Sequence, residues 1–482
     1  MSSLALLIDF GSTFTKVIAV DLDASRVVGR SQAPSTVLTD VREGLLQALS
    51  ALHEHHSLFD QRPSSLDILS GHLALASSSA AGGLRMAVIG LVPGLTLLAA
   101  SQAALGAGAK VVGSFAFKLA NNSIEEIVRL RADMVLLTGG TDGGDSATIL
   151  HNARLLANST ISVPIIVAGN QAVATQVGEI LEAGGKEVRP TDNVMPRSGV
   201  VAVDAARDEI RKLFIERIIH ARGMAAIGEF VSVVLPTPMA VLKGVRLGAV
   251  GTDREEGWGE MVVIDVGGAT TDVHSIGYGY PVGENVIKQG LPEPYAKRTV
   301  EGDLGIRFNA ATLLAQVGPD GFDAQWRAMF PQLQVSRDEI GRYITEITEK
   351  TARVPEQKWH TLADAVLARI AVDLALERHA GKRERVVTST GEAWVHYGKD
   401  LRNTPRLIAT GGVFVHNPYG SMIVSSSGQE QVDSTVLRPK HPKIYLDLSY
   451  ILYAVGLLEN DYPDLAVRLF KKYMSPIADS ED

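Results

Sequence analysis

The sequence contains no cysteine, and this one absence removes a wide range of chemistry. Disulfides, thiolate nucleophiles, zinc–thiolate sites and cysteine-bound iron–sulfur clusters are all excluded. Positive charge is also sparse: 46 Lys and Arg face 54 Asp and Glu, a formal net charge of −8, with no long basic run. Such a chain lacks the electrostatic footprint expected of a nucleic-acid binder. Its N-terminus, MSSLALLIDFGS, has no positive segment ahead of the apolar residues and meets an acid at Asp9, so it does not read as a signal peptide. One uncharged run, 24 residues from 86 to 109, is long enough to cross a bilayer. Pro93-Gly94 splits it, and Thr96, Ser101 and Gln102 dilute its second half, so a buried strand and a core helix are expected instead of a membrane span. The 12 histidines combine with no carboxylates in a metal-like pattern. No partner in nucleic acid or membrane is implied, and a cytoplasmic location is expected.

The chain has 482 residues, 46% of them apolar, enough for two to four domains. Its opening reads as strand, turn, strand: LALLIDF, then GSTFTK, then VIAVDLD, followed by a helix over 41–55. From 85 to 193 the pattern changes to regular alternation. MAVIGLV, KVVGSFAF, DMVLLTGG, VPIIVAGN and KEVRPTDN read as five strands separated by four helices, the signature of a parallel, doubly wound α/β sheet inserted in a larger fold. A helical connector over 204–222 returns the chain to the main body. At MVVIDVGGATTDVHSI the opening pattern repeats: an apolar strand ending in Asp, a Gly/Thr turn, and a second strand. The expected division is a first lobe at 1–84, an insert at 85–199, the return and a connecting helix at 200–256, and a second lobe at 257–482.

The repeated unit carries the chemistry. Asp9-Phe10-Gly11-Ser12-Thr13-Phe14-Thr15-Lys16 stands beside Asp265-Val266-Gly267-Gly268-Ala269-Thr270-Thr271-Asp272, about 256 residues further on. In each, an aspartate at a strand end precedes a tight turn of glycine and hydroxyl residues. Such turns aim backbone N–H groups at one point and suit phosphate oxygens. Two aspartates suit a hydrated magnesium ion, which accepts only one or two carboxylates. One hairpin alone is a common glycine-rich turn. Two of them facing each other would grip a triphosphate from both sides.

At these residues the chain resembles the superfamily of actin, Hsp70 chaperones and sugar kinases. DFGSTFTK looks like its first phosphate motif, IDVGGATTDVHS its second, and ATGGVFVHNP at 409–418 its adenosine motif. LPTPMAVLKGVRLGA at 235–249 and LSYILYAVGLL at 448–458 are similar to its two connecting helices. The resemblance implies an actin-like (ribonuclease H-like) ATPase fold with ATP and Mg2+ as ligands. Asp9 and Asp265 would hold the metal through water. Gly11, Ser12, Thr13, Thr15, Gly267, Gly268, Ala269, Thr270 and Thr271 would hold phosphates, with Gly411 and Gly412 at the nucleoside and Glu301 nearby. Lys16 would offset charge at the γ-phosphate; a solvated strand lysine is its plainer alternative.

SSSAAGGLRMAVIGLV, DMVLLTGGTDGGD and TVEGDLGIR look closer still to the MutL family that accompanies glutamate mutase. That resemblance implies an ATP-dependent, chaperone-like reactivase whose partner is an adenosylcobalamin-dependent mutase. Its role would be to promote release of damaged cobalamin. Two departures stand out. Leu235 occupies the place before Pro236-Thr237 where many relatives carry Glu or Gln to orient water, so slow hydrolysis is expected, with Glu260, Asp272 and Glu301 as substitutes. No Asp-x-His-x-x-Gly occurs, so the insert lacks a lower-ligand histidine for cobalamin. The insert's own TGGTDGGD reads either as an anion site or, preferably, as a capped strand–helix turn. A small-molecule kinase and a filament-forming actin relative remain alternatives, and monomer and homodimer stay open.

Overall fold

The computed structural model describes residues 4–11, 13–36, 39–79, 84–219, 227–231, 234–283, 285–333, 335–389, 391–425 and 435–477. In the first lobe, Leu4–Phe10 pairs antiparallel with Phe14–Asp21, setting Asp9 opposite Lys16 and Phe10 opposite Thr15. Alternate side chains of a strand serve opposite faces. Leu6, Ile8, Phe10, Val17 and Ala19 join the core that includes Leu45, Leu49 and Leu52 of the Val41–His56 helix. Ala5, Leu7, Ile18 and Val20 face a second core shared with the other lobe, and Asp9 and Lys16 share their side of the hairpin. Arg26–Pro34 extends the sheet antiparallel; Leu73–Ser78 and Val234–Pro236 extend it parallel from the other edge.

The second lobe repeats this plan. Met261–Val266 pairs antiparallel with Thr271–Ile276, and Ala296–Glu301 follows antiparallel. Arg406–Thr410 and Lys443–Asp447 then add parallel, with Met474–Pro476 closing the edge. Both sheets therefore run third, second, first, fourth, fifth in their own chain order. This is the duplicated ribonuclease H-like topology of the actin fold, and Asp9 and Asp265 hold the same place in it.

The insert lies between Leu73–Ser78 and Val234–Pro236. Its strands, Lys110–Ala116, Arg85–Gly90, Met134–Leu137, Ile165–Val167 and Val188–Pro190, are side by side in that order and all parallel. Met86, Val88, Met134, Leu136 and Ile166 face one way, into a core continuous with the first lobe. Ala87, Ile89, Val135, Leu137 and Val167 face the other way, against the Ala147–Ala157 and Ala174–Ala183 helices. The insert is thus built onto the first lobe, not hung from it. The uncharged run forms the Arg85–Gly90 strand and the Leu98–Gly106 helix, and among the described residues no helix is long and apolar enough to cross a membrane. The Pro463–Tyr473 helix spends its apolar face on the core between the lobes.

The lobes are joined by two helices, Thr237–Val250 and Leu452–Leu458, that touch backbone to backbone. A Cβ on Gly244 would meet the Leu452 carbonyl oxygen at 2.3 Å, and one on Gly456 the Ala240 carbonyl oxygen at 1.8 Å. One element had no counterpart in the sequence reading. Val286–Gln289, Lys382–Thr388 and Gly391–Tyr397 form a separate three-stranded sheet. Its strand KRERVVT is largely exposed and charged, so it lacks the apolar alternation that marks a strand.

Behind the second lobe's sheet, Lys399 is fully buried. Its ammonium donates to the carbonyls of Tyr295 (2.8 Å) and Ser275 (3.1 Å) and to the Ser275 hydroxyl (3.3 Å). Burial, with Lys297 nearby, pushes its pKa down to about 7. An unfolded lysine titrates at about 10.4. Between these values the unfolded chain holds the proton and the fold does not, so stability rises with pH across that window. Lys399→Met is expected to flatten the rise, by up to about 1.4 kcal/mol per pH unit. Urea unfolding of both proteins at a series of pH values measures the difference; parallel curves would contradict it.

Candidate functional site

Asp9 is buried where the first hairpin meets the first connecting helix. Its Oδ1 accepts from Thr237 Oγ1 (2.6 Å) and Ser77 Oγ (3.2 Å), and Lys16 Nζ lies 3.7 Å from its Oδ2. The Lys16 ammonium also sits 3.5 Å above the centre of the Tyr450 ring. Tyr450 has φ of 52°, a left-handed conformation that costs a residue of this kind about 1–3 kcal/mol and persists only where its surroundings enforce it. The ring belongs to the second lobe's approach to its connecting helix, so this contact crosses between lobes. Nothing in the sequence marked Tyr450 beyond an aromatic ahead of a helix. Tyr450→Leu is expected to weaken nucleotide binding by about 1 kcal/mol through the loss of a face for Lys16, whereas Tyr450→Phe keeps the face. Titration with a fluorescent adenine nucleotide separates them; equal affinities for Leu and Phe variants would contradict it.

Across the cleft, Asp265 has its carboxyl pushed up to about 7. Burial is the main cause, with Asp272, Asp447 and Asp9 adding to it and Lys16 opposing. Asp9, Asp265 and Lys16 are thus brought into one electrostatic site from the two halves of the chain. Gly411, at φ 114°, explains its own identity: a Cβ there would meet Val266 O at 2.3 Å and Asp265 Oδ1 at 3.0 Å. Asp447 is a buried acid that sequence reasoning missed. It accepts from the amides of Ser449 and Ile451 and from the Thr410 hydroxyl, capping the start of the second connecting helix.

The two turns are built alike. Gly11 N–H donates to Phe14 O (3.0 Å), and Gly267 N–H to Thr270 O (2.9 Å). Each is braced by the chain leaving its lobe's third strand. Ser35 N–H donates to Thr13 O and Ser35 Oγ to Gly11 O. Ile306, Arg307 and Phe308 donate their amides to the carbonyls of Gly267 and Gly268, and Asn309 Nδ2 donates to Ala269 O. The carbonyls are committed to the frame. Among the described residues, the amides of Gly268, Ala269 and Thr270 carry no such commitment and stand at the turn.

The family model described as "MutL protein" matches residues 5–474. The chain belongs to the MutL protein family. A curated relative, Protein MutL of Clostridium tetanomorphum, is 42% identical over 475 residues, covering 97% of this chain and 98% of that protein. Two solved structures match more distantly. Gluconate kinase from Lactobacillus acidophilus is 9% identical with a TM-score of 0.33, over 99% of this chain and 93% of its own. The ethanolamine utilization protein EutJ from Carboxydothermus hydrogenoformans is 10% identical with a TM-score of 0.26, over 95% and 89%. The strand order shared by the two lobes carries the fold.

In this MutL-family chain the hydroxyls do less than the motifs suggest. Thr15 is buried with its Oγ1 unpartnered among the described residues and directed toward Gly44 of the Val41–His56 helix, away from the Asp9 side, because strand alternation puts it with Phe10. Thr271 donates to Leu304 O and Thr270 to Asp272 Oδ2. A cradle here is therefore mainly backbone. Ser12 lies outside the described residues, and Gly412 has open space around it. Glu301 is raised by burial and takes a hydrogen bond from Arg378 (2.8 Å). Asp272 is bound to Arg298, and Glu260 lies just ahead of the Met261–Val266 strand, at the opposite end from Asp265, accepting from the Tyr278 amide. Each of the three substitute bases is thus engaged or misplaced.

The TGGTDGGD loop of the insert is closed on itself. Asn170 accepts from Gly143 and Ala172 amides and donates to Gly144 O and Asp145 O; Asn193 donates to Gly140 O and Asp142; Asp145 accepts from Thr148 N–H. Asn170 and Asn193 thus brace the turn, and Asp145 caps the first turn of the helix in the manner of a capped strand–helix turn.

Proposed function

We propose that this chain is an ATP-binding, slowly hydrolysing chaperone that reactivates an adenosylcobalamin-dependent mutase by promoting release of damaged cobalamin. The observation that carries the ATP part is the meeting of Asp9 and Asp265 from two duplicated hairpins. A cation fits there: the carboxyl groups of Asp9, Asp265, Asp272 and Asp447 act on one site with one lysine, Lys16. Asp9 and Asp265 would hold magnesium through water, and the amides of the two turns would take phosphate oxygens. Magnesium would supply the charge that neutralises the phosphates. Lys16, fixed by Asp9 and Tyr450, places a second positive charge at the same point.

Slow turnover is supported by the side chains that are missing. Leu235 packs into the core between the lobes, and the three substitute carboxylates have other partners: Asp272 holds Arg298, Glu260 the Tyr278 amide and Glu301 Arg378. A low rate suits a switch. The mutase as client is supported by family membership, and the insert is proposed as its docking unit.

The decisive measurement is phosphate release from MgATP, alone and with a cobalamin-inactivated mutase, with Asp9→Ala as control. Slow release that the damaged mutase accelerates and Asp9→Ala removes is the expected result. Turnover indifferent to the mutase but raised by a small metabolite would replace the reactivase with a kinase. Nucleotide-dependent sedimentation would replace it with a filament.

A further inference from the structure

The insert meets the nucleotide-site elements of both lobes through one short stretch, Leu105-Gly106-Ala107-Gly108-Ala109-Lys110. On the first-lobe side, Gly108 has φ of 89°, and a Cβ there would meet Pro236 Cβ at 2.8 Å and Met239 Cβ at 3.3 Å. Between those residues lies Thr237, whose hydroxyl holds Asp9. On the second-lobe side, Arg298 donates Nε (2.9 Å) and Nη2 (2.6 Å) to Asp272 Oδ1. Its Nη1 reaches across to Leu105 O and Ala109 O, both at 3.1 Å. Arg298 is buried, and Asp272 takes the Thr270 hydroxyl from the phosphate turn. Next along, Lys110 lies on Gly302, where a Cβ would meet its ammonium at 2.3 Å.

We infer that Arg298 is a positioning residue that couples nucleotide occupancy of the cleft to the pose of the insert. The inference rests on the ATP reading above and deepens it. The insert shares a core with the first lobe, so a change in lobe angle cannot be absorbed there without repacking. It has to appear at the contacts with the second lobe, and Arg298 is the strongest of these. A guanidinium can fork between a carboxylate and two carbonyls in a way that no ammonium matches. Any shift of Thr270 and Asp272 as phosphates enter is carried to Leu105 and Ala109. The insert therefore receives the state of the site through its small-residue loop.

The test is hydrogen exchange of peptides covering residues 105–113, with and without MgADP or MgATP, alongside binding of a fluorescent adenine nucleotide. The amides of Ala107, Gly108, Ala109 and Lys110 are all hydrogen-bonded, so their exchange reports opening of the loop. In the unaltered protein, nucleotide is expected to change that exchange about tenfold. Arg298→Lys keeps the charge beside Asp272 but loses the fork. It should still bind nucleotide, and its exchange at 105–113 should no longer respond. A merely structural Arg298 would instead raise exchange equally in both states. Gly108→Ala, which forces the loop off Pro236 without altering charge, should also blunt the response. If the unaltered protein binds no nucleotide, the ATP reading falls with the coupling. If it binds nucleotide and exchange does not change, the coupling alone is overturned. A response that Arg298→Lys retains removes Arg298 from it.

Discussion

Replacing Asp9 by Asn should lower MgATP-dependent phosphate release by a factor on the order of 10²–10³, the usual loss when a preorganised electrostatic group is removed from a phosphoryl-transfer site. Asp9 joins the first hairpin, Ser77 of the neighbouring strand, Thr237 of the first connecting helix and Lys16. An amide has nearly the same shape and can still accept from Thr237, so the frame survives. It carries no charge, so it neither organises a hydrated cation nor holds the Lys16 ammonium. Alanine would remove the acceptor as well and leave the buried Thr237 and Ser77 hydroxyls, 3.3 Å apart, only each other as partners, adding about 1–3 kcal/mol of destabilisation to the loss of activity. Asn is therefore the cleaner variant, and comparison of thermal midpoints shows whether the fold is kept. A folded Asn variant that turns over within threefold of the parent would remove Asp9 from the chemistry and the proposed site with it.

Much of this architecture was legible because it is local. Asp, Gly and Thr recur at the same place after two apolar strands, and the strand–helix alternation over 85–193 shows in hydrophobic period alone; the structure has those five strands, all parallel. What was not legible depends on which way a side chain points or on what arrives from elsewhere. Thr15 and Lys16 are adjacent in the motif, yet one faces the helix and the other the cleft, a difference set by hairpin register. Tyr450 and Asp447 lie in a stretch that reads as an ordinary helix approach; their partners, Lys16 and Thr410, are far away in sequence. Arg298 looks like any charge on an alternating strand until the insert's carbonyls are laid against it. Gly456 is the same kind of case, since an isolated glycine in a helix normally weakens it, and only the crossing shows why it is there.

The same substitution, Gly→Ala, should have opposite signs at two helical glycines. At Gly456 the new Cβ would fall 1.8 Å from Ala240 O and 2.7 Å from its carbonyl carbon. A Cβ has no rotamer to escape by, and the obstacle is backbone, so the two connecting helices must separate by more than about 1 Å to restore a C···O contact of about 3.3 Å. That separation runs through the core between the lobes, where Val241, Val245, Leu452 and Val455 are packed, and these lose contact with one another. The expected cost is about 3 kcal/mol or more, at or beyond the upper end of ordinary overpacking. The connecting helices also set the angle between the lobes, so nucleotide affinity should fall with stability. Gly341, in the Arg337–Glu349 helix, has nothing within 4 Å of its would-be Cβ. Alanine there removes backbone freedom from the unfolded chain and should stabilise by about 0.5–1 kcal/mol. Urea unfolding of the two variants beside the parent decides the matter. A lowered midpoint for Gly456→Ala with a raised one for Gly341→Ala supports a backbone-to-backbone hinge; a Gly456→Ala protein as stable as its parent means that the helices do not cross at this distance, and that the lobes are joined some other way.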